Sequence, residues 1–137
     1  MVVLLDQAAK ALALRFLSFD QSLPLIQGFF HLTLVHNTGV AFGFFRGHEG
    51  ALLVLITMSL FFLWVWAVRM ESKSAGGRIA FALILGGALG NWIDRVRFGA
   101  VIDFLDFRIW PVFNVADSAI TLGVGLYLLL LLRKKRN

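Results

Sequence analysis

Ala51-Leu52-Leu53-Val54-Leu55-Ile56-Thr57-Met58-Ser59-Leu60-Phe61-Phe62-Leu63-Trp64-Val65-Trp66-Ala67-Val68 runs for eighteen residues without a charge and is closed by Arg69. At 1.5 Å per residue a helix of that length spans about 27 Å, close to the ~30 Å hydrocarbon core of a bilayer. Two more uncharged runs follow: Ile79 to Ile93, between Arg78 and Asp94, and Ser118 to Leu132, between Asp117 and Arg133. Each is shorter than the ~20 residues a span needs, so flanking polar residues complete it at the interfaces. Upstream, Val2 to Phe19 is apolar but carries Asp6, Lys10 and Arg15. Asp6 and Lys10 stand i,i+4 on one helical face, where they can pair, so this segment reads as a helix hiding that face against the others. The expected fold is an all-α membrane protein with four transmembrane helices, at about 2–19, 51–69, 78–95 and 116–132, in a single domain over 1–137.

Composition points the same way. The chain is 137 residues long, 59% hydrophobic and only 15% charged, with a mean hydropathy of +0.82. A soluble domain carries roughly 25% charged residues, so an ordinary soluble fold is excluded. Net charge is +5, and four basic residues form one run, Arg133-Lys134-Lys135-Arg136, directly after an apolar stretch. That run reads as a cytoplasmic anchor rather than a phosphate-binding face, and no nucleic-acid partner is expected. The absence of cysteine rules out disulfides, thiolate metal sites and cysteine nucleophiles. Met1 to Asp6 lacks a basic lead and does not read as a cleavable signal peptide.

Four spans put both termini on one side. The Arg69–Arg78 connection holds Arg69, Lys73 and Arg78 against Glu71, and the C-terminal run adds four positive charges. By the positive-inside rule that side is cytoplasmic, and the longer connections Ser18–Gly50 and Val96–Val115 face outward. Within the first of these, Phe29 to His36 is rich in strand formers and leads into the turn signal Asn37-Thr38-Gly39. A small β-element is therefore expected on the outer surface. Small residues at four-residue spacing, Gly86 with Gly90 and Ala119 with Gly123, suggest close helix packing, although chance glycines in a membrane helix explain each pair equally well.

The polar residues are few and clustered. Asn91, Asp94 and Arg95 fall at i, i+3 and i+4, on one face at the outer end of the third span. Asp103 follows in the second outward connection, and Asn114 and Asp117 open the fourth span. An ionisable residue at membrane depth costs roughly 2.5–3.5 kcal/mol on insertion scales, so it needs a partner or a task. Taken singly, each has a structural explanation. Asn114 or Asp117 could cap the fourth helix, and Asp94 with Arg95 could be a simple ion pair. Together they suggest paired carboxylates at the edge of a low-dielectric phase. Such a pair holds one proton and can act as base and acid in activating water. His31, His36 and His48 lie outside metal-binding spacing, and no serine elbow or Ser-Lys pairing stands out.

Five segments carry a resemblance. Asp6-Gln7-Ala8-Ala9-Lys10 resembles the D-Q-x-x-K motif of signal peptidase II, and Asn37-Thr38-Gly39-Val40-Ala41-Phe42-Gly43 its N-x-G-x-A-F motif. Gly90-Asn91-Trp92-Ile93-Asp94-Arg95 is similar to its G-N-x-x-D-R motif, Val101-Ile102-Asp103-Phe104 to V-x-D-F, and Phe113-Asn114-Val115-Ala116-Asp117-Ser118 to F-N-x-A-D. The five occur in family order over essentially the whole chain. The family usually has a longer apolar lead before D-Q-x-x-K, whereas five residues precede Asp6 here. The resemblance implies a bacterial inner-membrane enzyme with four transmembrane helices, a small periplasmic β-cradle and both termini cytoplasmic. It implies an aspartyl endopeptidase that removes signal peptides from prolipoproteins, cutting before a diacylglyceryl-modified cysteine, without metal or organic cofactor. It also implies contact with membrane lipids and inhibition by globomycin-type cyclic peptides. By matching position, Asp103 and Asp117 become the catalytic dyad, and Asn37, Gly87, Asn91, Arg95 and Asn114 supporting or substrate-contacting residues. Asp6, Lys10 and Asp94 become structural polar residues. Two other readings remain beside it: a small proton or ion pathway using Asp94, Asp103 and Asp117 as relay sites, and a non-catalytic homologue.

Overall fold

A computed structural model describes residues 1–19, 21–39, 49–69 and 74–136 of the chain. Four helices and three strands follow in the order α1 (Val2–Phe16), β1 (Ser22–Ile26), β2 (Phe30–Asn37), α2 (Glu49–Arg69), α3 (Ala75–Phe98), β3 (Val101–Asp106) and α4 (Val115–Arg136). The long third helix is the hub, packing against α1, α2 and α4.

Local chemistry sets the ends of these elements. α1 stops three residues before the expected Phe19, because Leu17 takes extended backbone (φ −109°, ψ 143°) and Phe19 joins the sheet in a bridge to Leu34. α3 begins at Ala75 rather than Arg78, since the Ser74 hydroxyl accepts the Gly77 N–H at 3.1 Å as an N-cap. It ends at Gly99, whose left-handed backbone (φ 71°) closes the last turn.

The expected strand around Phe29–His36 is β2, the middle of an antiparallel sheet ordered β1-β2-β3. Neither outer strand was evident from the sequence. β1 contains Pro24, which suits an edge. β3 carries the register that matters for the site, with Asn37 opposite Val101 and Val35 opposite Asp103. Ala13, Leu34, Ile102 and Phe104 form a core between α1 and the sheet.

The helix contacts decide between the two readings of the small residues. A Cβ at Gly90 would lie 2.6 Å from Asp6 Oδ2, and one at Gly123 would lie 2.8 Å from the Ala80 carbonyl oxygen. Close packing is the reading that holds, with Gly86 likewise against Val2.

Three stretches, Gly50–Arg69, Ala75–Phe98 and Val115–Arg133, are long and apolar enough to cross a bilayer among the described residues. Only 6% of the α2 window is buried inside the protein, so side chains such as Phe61 and Phe62 face outward, as a lipid-facing helix requires. The expectation of four such helices is reduced to three on length and composition. α1 has fifteen residues, about 22 Å of helix, and buries both Asp6 and Lys10.

Candidate active site

The tight turn at Gly99 sends the chain from α3 straight into β3, so the outer end of α3, the strand and the start of α4 meet at one point. Asn114 and Asp117 form a reciprocal cap on α4. The Asp117 N–H donates to Asn114 Oδ1 at 2.9 Å, and the Asn114 N–H donates to Asp117 Oδ2 at 3.2 Å. The capping role considered for these two residues is therefore real.

Capping does not use up their side chains. Asn114 Nδ2 lies 2.7 Å from Asp103 Oδ1 and 3.0 Å from Asn91 Oδ1. Asn91 Nδ2 in turn donates to Asp117 Oδ1 at 2.7 Å. From β2, Asn37 Nδ2 donates to Asp103 Oδ2 at 2.9 Å, while Asn37 Oδ1 accepts the Gly39 N–H. Three asparagines thus clamp two carboxylates. Asn114 is completely buried and Asp103 is 1% exposed. Burial pushes the Asp103 carboxyl up to about 7; the Asn37 and Asn114 amides oppose that shift and the nearby negative charge of Asp117 adds to it.

Three residues along the same strand, Asp106 shows the opposite behaviour. Against its desolvation, the Thr33 hydroxyl at 2.7 Å and the Arg108 donors hold its carboxyl below the usual carboxylate range. It stands outside the cluster at Asp103.

The ion pair considered for Asp94 and Arg95 does not form among the described residues. Asp94 Oδ2 lies 2.7 Å from Lys10 Nζ, while Arg95 turns away and donates from Nη2 to the Gly39 carbonyl at 3.1 Å. The expected Asp6–Lys10 pair does form, at 2.8 Å. Lys10 also donates to Asn91 Oδ1 at 3.0 Å. Gln7, quoted in the motif but not singled out, donates to Asp94 Oδ1 at 2.8 Å. Its place inside D-Q-x-x-K was the signal available. Gly87 does not line the site; a Cβ there would run into the Ala116 carbonyl oxygen of α4.

A cavity of about 260 Å³ opens on this cluster, lined by Asn37, Asn91, Arg95, Asp103 and Asp117 with Trp110 and Phe113 as a wall. Trp110, Phe113 and Asp117 also border a second, mostly apolar cavity of about 590 Å³, bounded by Phe29, Phe107 and Leu122. Two carboxylates bridged by one asparagine therefore share one cavity, and Asp117 also faces the apolar groove beside it. Among the described residues no three His, Asp or Glu side chains converge as a metal site would require. Residues 40–43 of the second quoted motif lie outside the described residues.

The model of the signal peptidase II family matches residues 1–133. The lipoprotein signal peptidase of Halothermothrix orenii is 43% identical, covering 98% of this chain and 92% of its own length. That of Moorella thermoacetica is 46% identical over 90% and 83%. A solved bacterial membrane enzyme superposes with a TM-score of 0.89 at 33% identity, covering 98% of this chain and 84% of its own. With that family pattern running through nearly its whole length, the chain belongs to the signal peptidase II family.

Proposed function

We propose that this protein is an aspartic endopeptidase that removes the signal peptide from diacylglyceryl-modified prolipoproteins, cutting before the lipidated cysteine. The observation that carries this reading is the pairing of Asp103 with Asp117 through Asn114 in one cavity, with Asp117 also bordering an apolar groove. Relatives named lipoprotein signal peptidase support the substrate class.

In this mechanism Asp103 and Asp117 share one proton. One carboxylate takes a proton from the attacking water, and the other protonates the leaving amine. Asn37, Asn91 and Asn114 hold the two carboxylates by the hydrogen bonds given above. Arg95, on the cavity wall, donates to the substrate backbone near the scissile bond. The apolar groove takes the diacylglyceryl chains or the apolar part of the signal peptide, which lets the substrate arrive from within the membrane. Gly87 serves by letting α3 and α4 approach. A relay for protons or ions would use the same carboxylates but would have no use for a groove of that size beside them.

The test is to incubate the purified protein with a diacylglyceryl-modified prolipoprotein and follow its size. A shift blocked by a globomycin-type cyclic peptide is expected. No cleavage, with the substrate intact, would refute the peptidase.

The same reading takes 1–137 as one domain in the bacterial inner membrane. α1 completes a fourth span by thinning the bilayer locally. Both termini are cytoplasmic and the carboxylate pair lies near the periplasmic face. Because the chain has no cysteine, single cysteines report sidedness cleanly. Ile109→Cys, at a position 87% exposed, should react with a membrane-impermeant thiol reagent on intact cells. Ala75→Cys, at the other end of α3, should react only after permeabilisation. Reaction of both from outside would overturn the topology.

A further inference from the structure

The peptidase reading leaves one buried cluster without a task. Asp6, Lys10 and Asp94 are each no more than 2% exposed. A buried ion pair that only joined helices would add little, since well-packed apolar residues often replace one without loss of stability. These three do more than face one another. Asp94 Oδ2 accepts the N–H of Ile102 at 3.2 Å, one residue before Asp103. Asp6 Oδ1 accepts the N–H of Ala116 at 2.9 Å, one residue before Asp117.

The third contact decides the role. Lys10 Nζ is donor-only and points one of its donors at Asn91 Oδ1, at 3.0 Å. Turning the Asn91 amide over would set its NH₂ group against an ammonium. The amide is therefore fixed with Nδ2 toward Asp117 Oδ1, at 2.7 Å.

We infer that Lys10 is a positioning residue for the reacting pair: through Asn91 it aims a donor at Asp117, and through Asp94 it anchors the strand that carries Asp103. This rests on the reading of Asp103 and Asp117 as the peptidase dyad.

Lys10→Met alone would leave two buried carboxylates uncompensated, so the test pairs it with Asp6→Asn. One charge of each sign is removed, and the net charge of the cluster stays as it was. With Asp6→Asn alone as the control for kcat, and against wild type, whose cluster carries the same net charge, the double variant should fold with a similar Tm and an unchanged KM. Its kcat should fall about 10²-fold, the penalty of a catalytic group displaced by about 1 Å. A cluster that merely ties helices together would move Tm and kcat together, or neither.

A second measurement leaves the lysine in place. In ¹⁵N-lysine spectra the Lys10 ammonium signal should move on Asp117→Asn and stay on Asp106→Asn. A folded double variant with the kcat of its reference, or a Lys10 signal indifferent to Asp117→Asn, overturns the role. Wild-type protein that fails to cleave prolipoprotein overturns the peptidase reading and this inference with it. Wild type that cleaves, with a double variant that cleaves equally well, overturns this inference alone.

Discussion

Asp103→Asn and Asp117→Asn are each expected to lower prolipoprotein cleavage by about 10³-fold or more, at the upper range of what a positioned acid or base contributes. The expectation rests on geometry. Both carboxylates line one cavity, and Asn114 touches both. A pair that shares one proton works only as a unit, so the double variant should be little slower than either single one. Chelators should leave the wild-type rate unchanged, because both proton transfers are assigned to carboxylates. Substantial activity in either single variant, or loss of the wild-type rate with EDTA, would remove the mechanism.

The pH profile follows from the same pair. Cleavage should be bell-shaped in pH, with two apparent pKa values that belong to the dyad as a whole. With burial pushing the Asp103 carboxyl up to about 7, the rate should fall as pH rises past that region and the pair loses its shared proton. Stability carries the same sign. Below 3.8, the ordinary value, Asp103 is protonated both folded and unfolded. Between there and about 7 the folded protein keeps a proton that the unfolded chain has released, so stability declines as pH rises across that window. Asp103→Asn cannot titrate. Wild type should therefore lose thermal stability relative to this variant from pH 4 to pH 7, as melting in detergent would reveal.

What the sequence made legible was local. The uncharged runs announced three helices, and the i,i+3,i+4 spacing put Asn91 and Asp94 on one face of α3. Asp6 and Lys10 paired as their spacing predicts. Asp94 and Arg95 misled because adjacent helical residues point about 100° apart, so proximity along the chain does not let them face each other. The true partner of Asp94 comes from α1, which no local pattern encodes. β3 was hidden for a related reason. Val101-Ile102-Asp103-Phe104-Leu105-Asp106 is buried on both faces, so its apolar residues do not alternate with polar ones as in a half-exposed strand. Asp103 could be picked out as a candidate, but its clamping by Asn37 depends on strand register, and register is a tertiary property.

Gly87→Ala should cost about 1–3 kcal/mol of stability, as overpacking does, and lower cleavage on the order of 10²-fold. The new methyl carbon would collide with the Ala116 carbonyl oxygen and lie 2.8 Å from Ile120 Cγ1. A flexible side chain could swing aside, but the first obstacle is backbone, so relief comes only by moving the start of α4 away from α3. That movement strains the Ala116 N–H bond to Asp6 Oδ1. It also carries Asp117, the next residue, away from the Asn91 amide on α3. Packing and chemistry should therefore fail together at this position, although Gly87 touches neither carboxylate. Gly125→Ala is the control: it lies in the same helix as Asp117, and an added Cβ there meets nothing within 4 Å. That variant should stay within about 1 kcal/mol of wild type, the size of the glycine-to-alanine helix preference, and cleave normally. Melting temperature and kcat measured on both variants decide the matter. A Gly87→Ala protein that melts and cleaves like wild type would mean that the α3–α4 approach does not position Asp117.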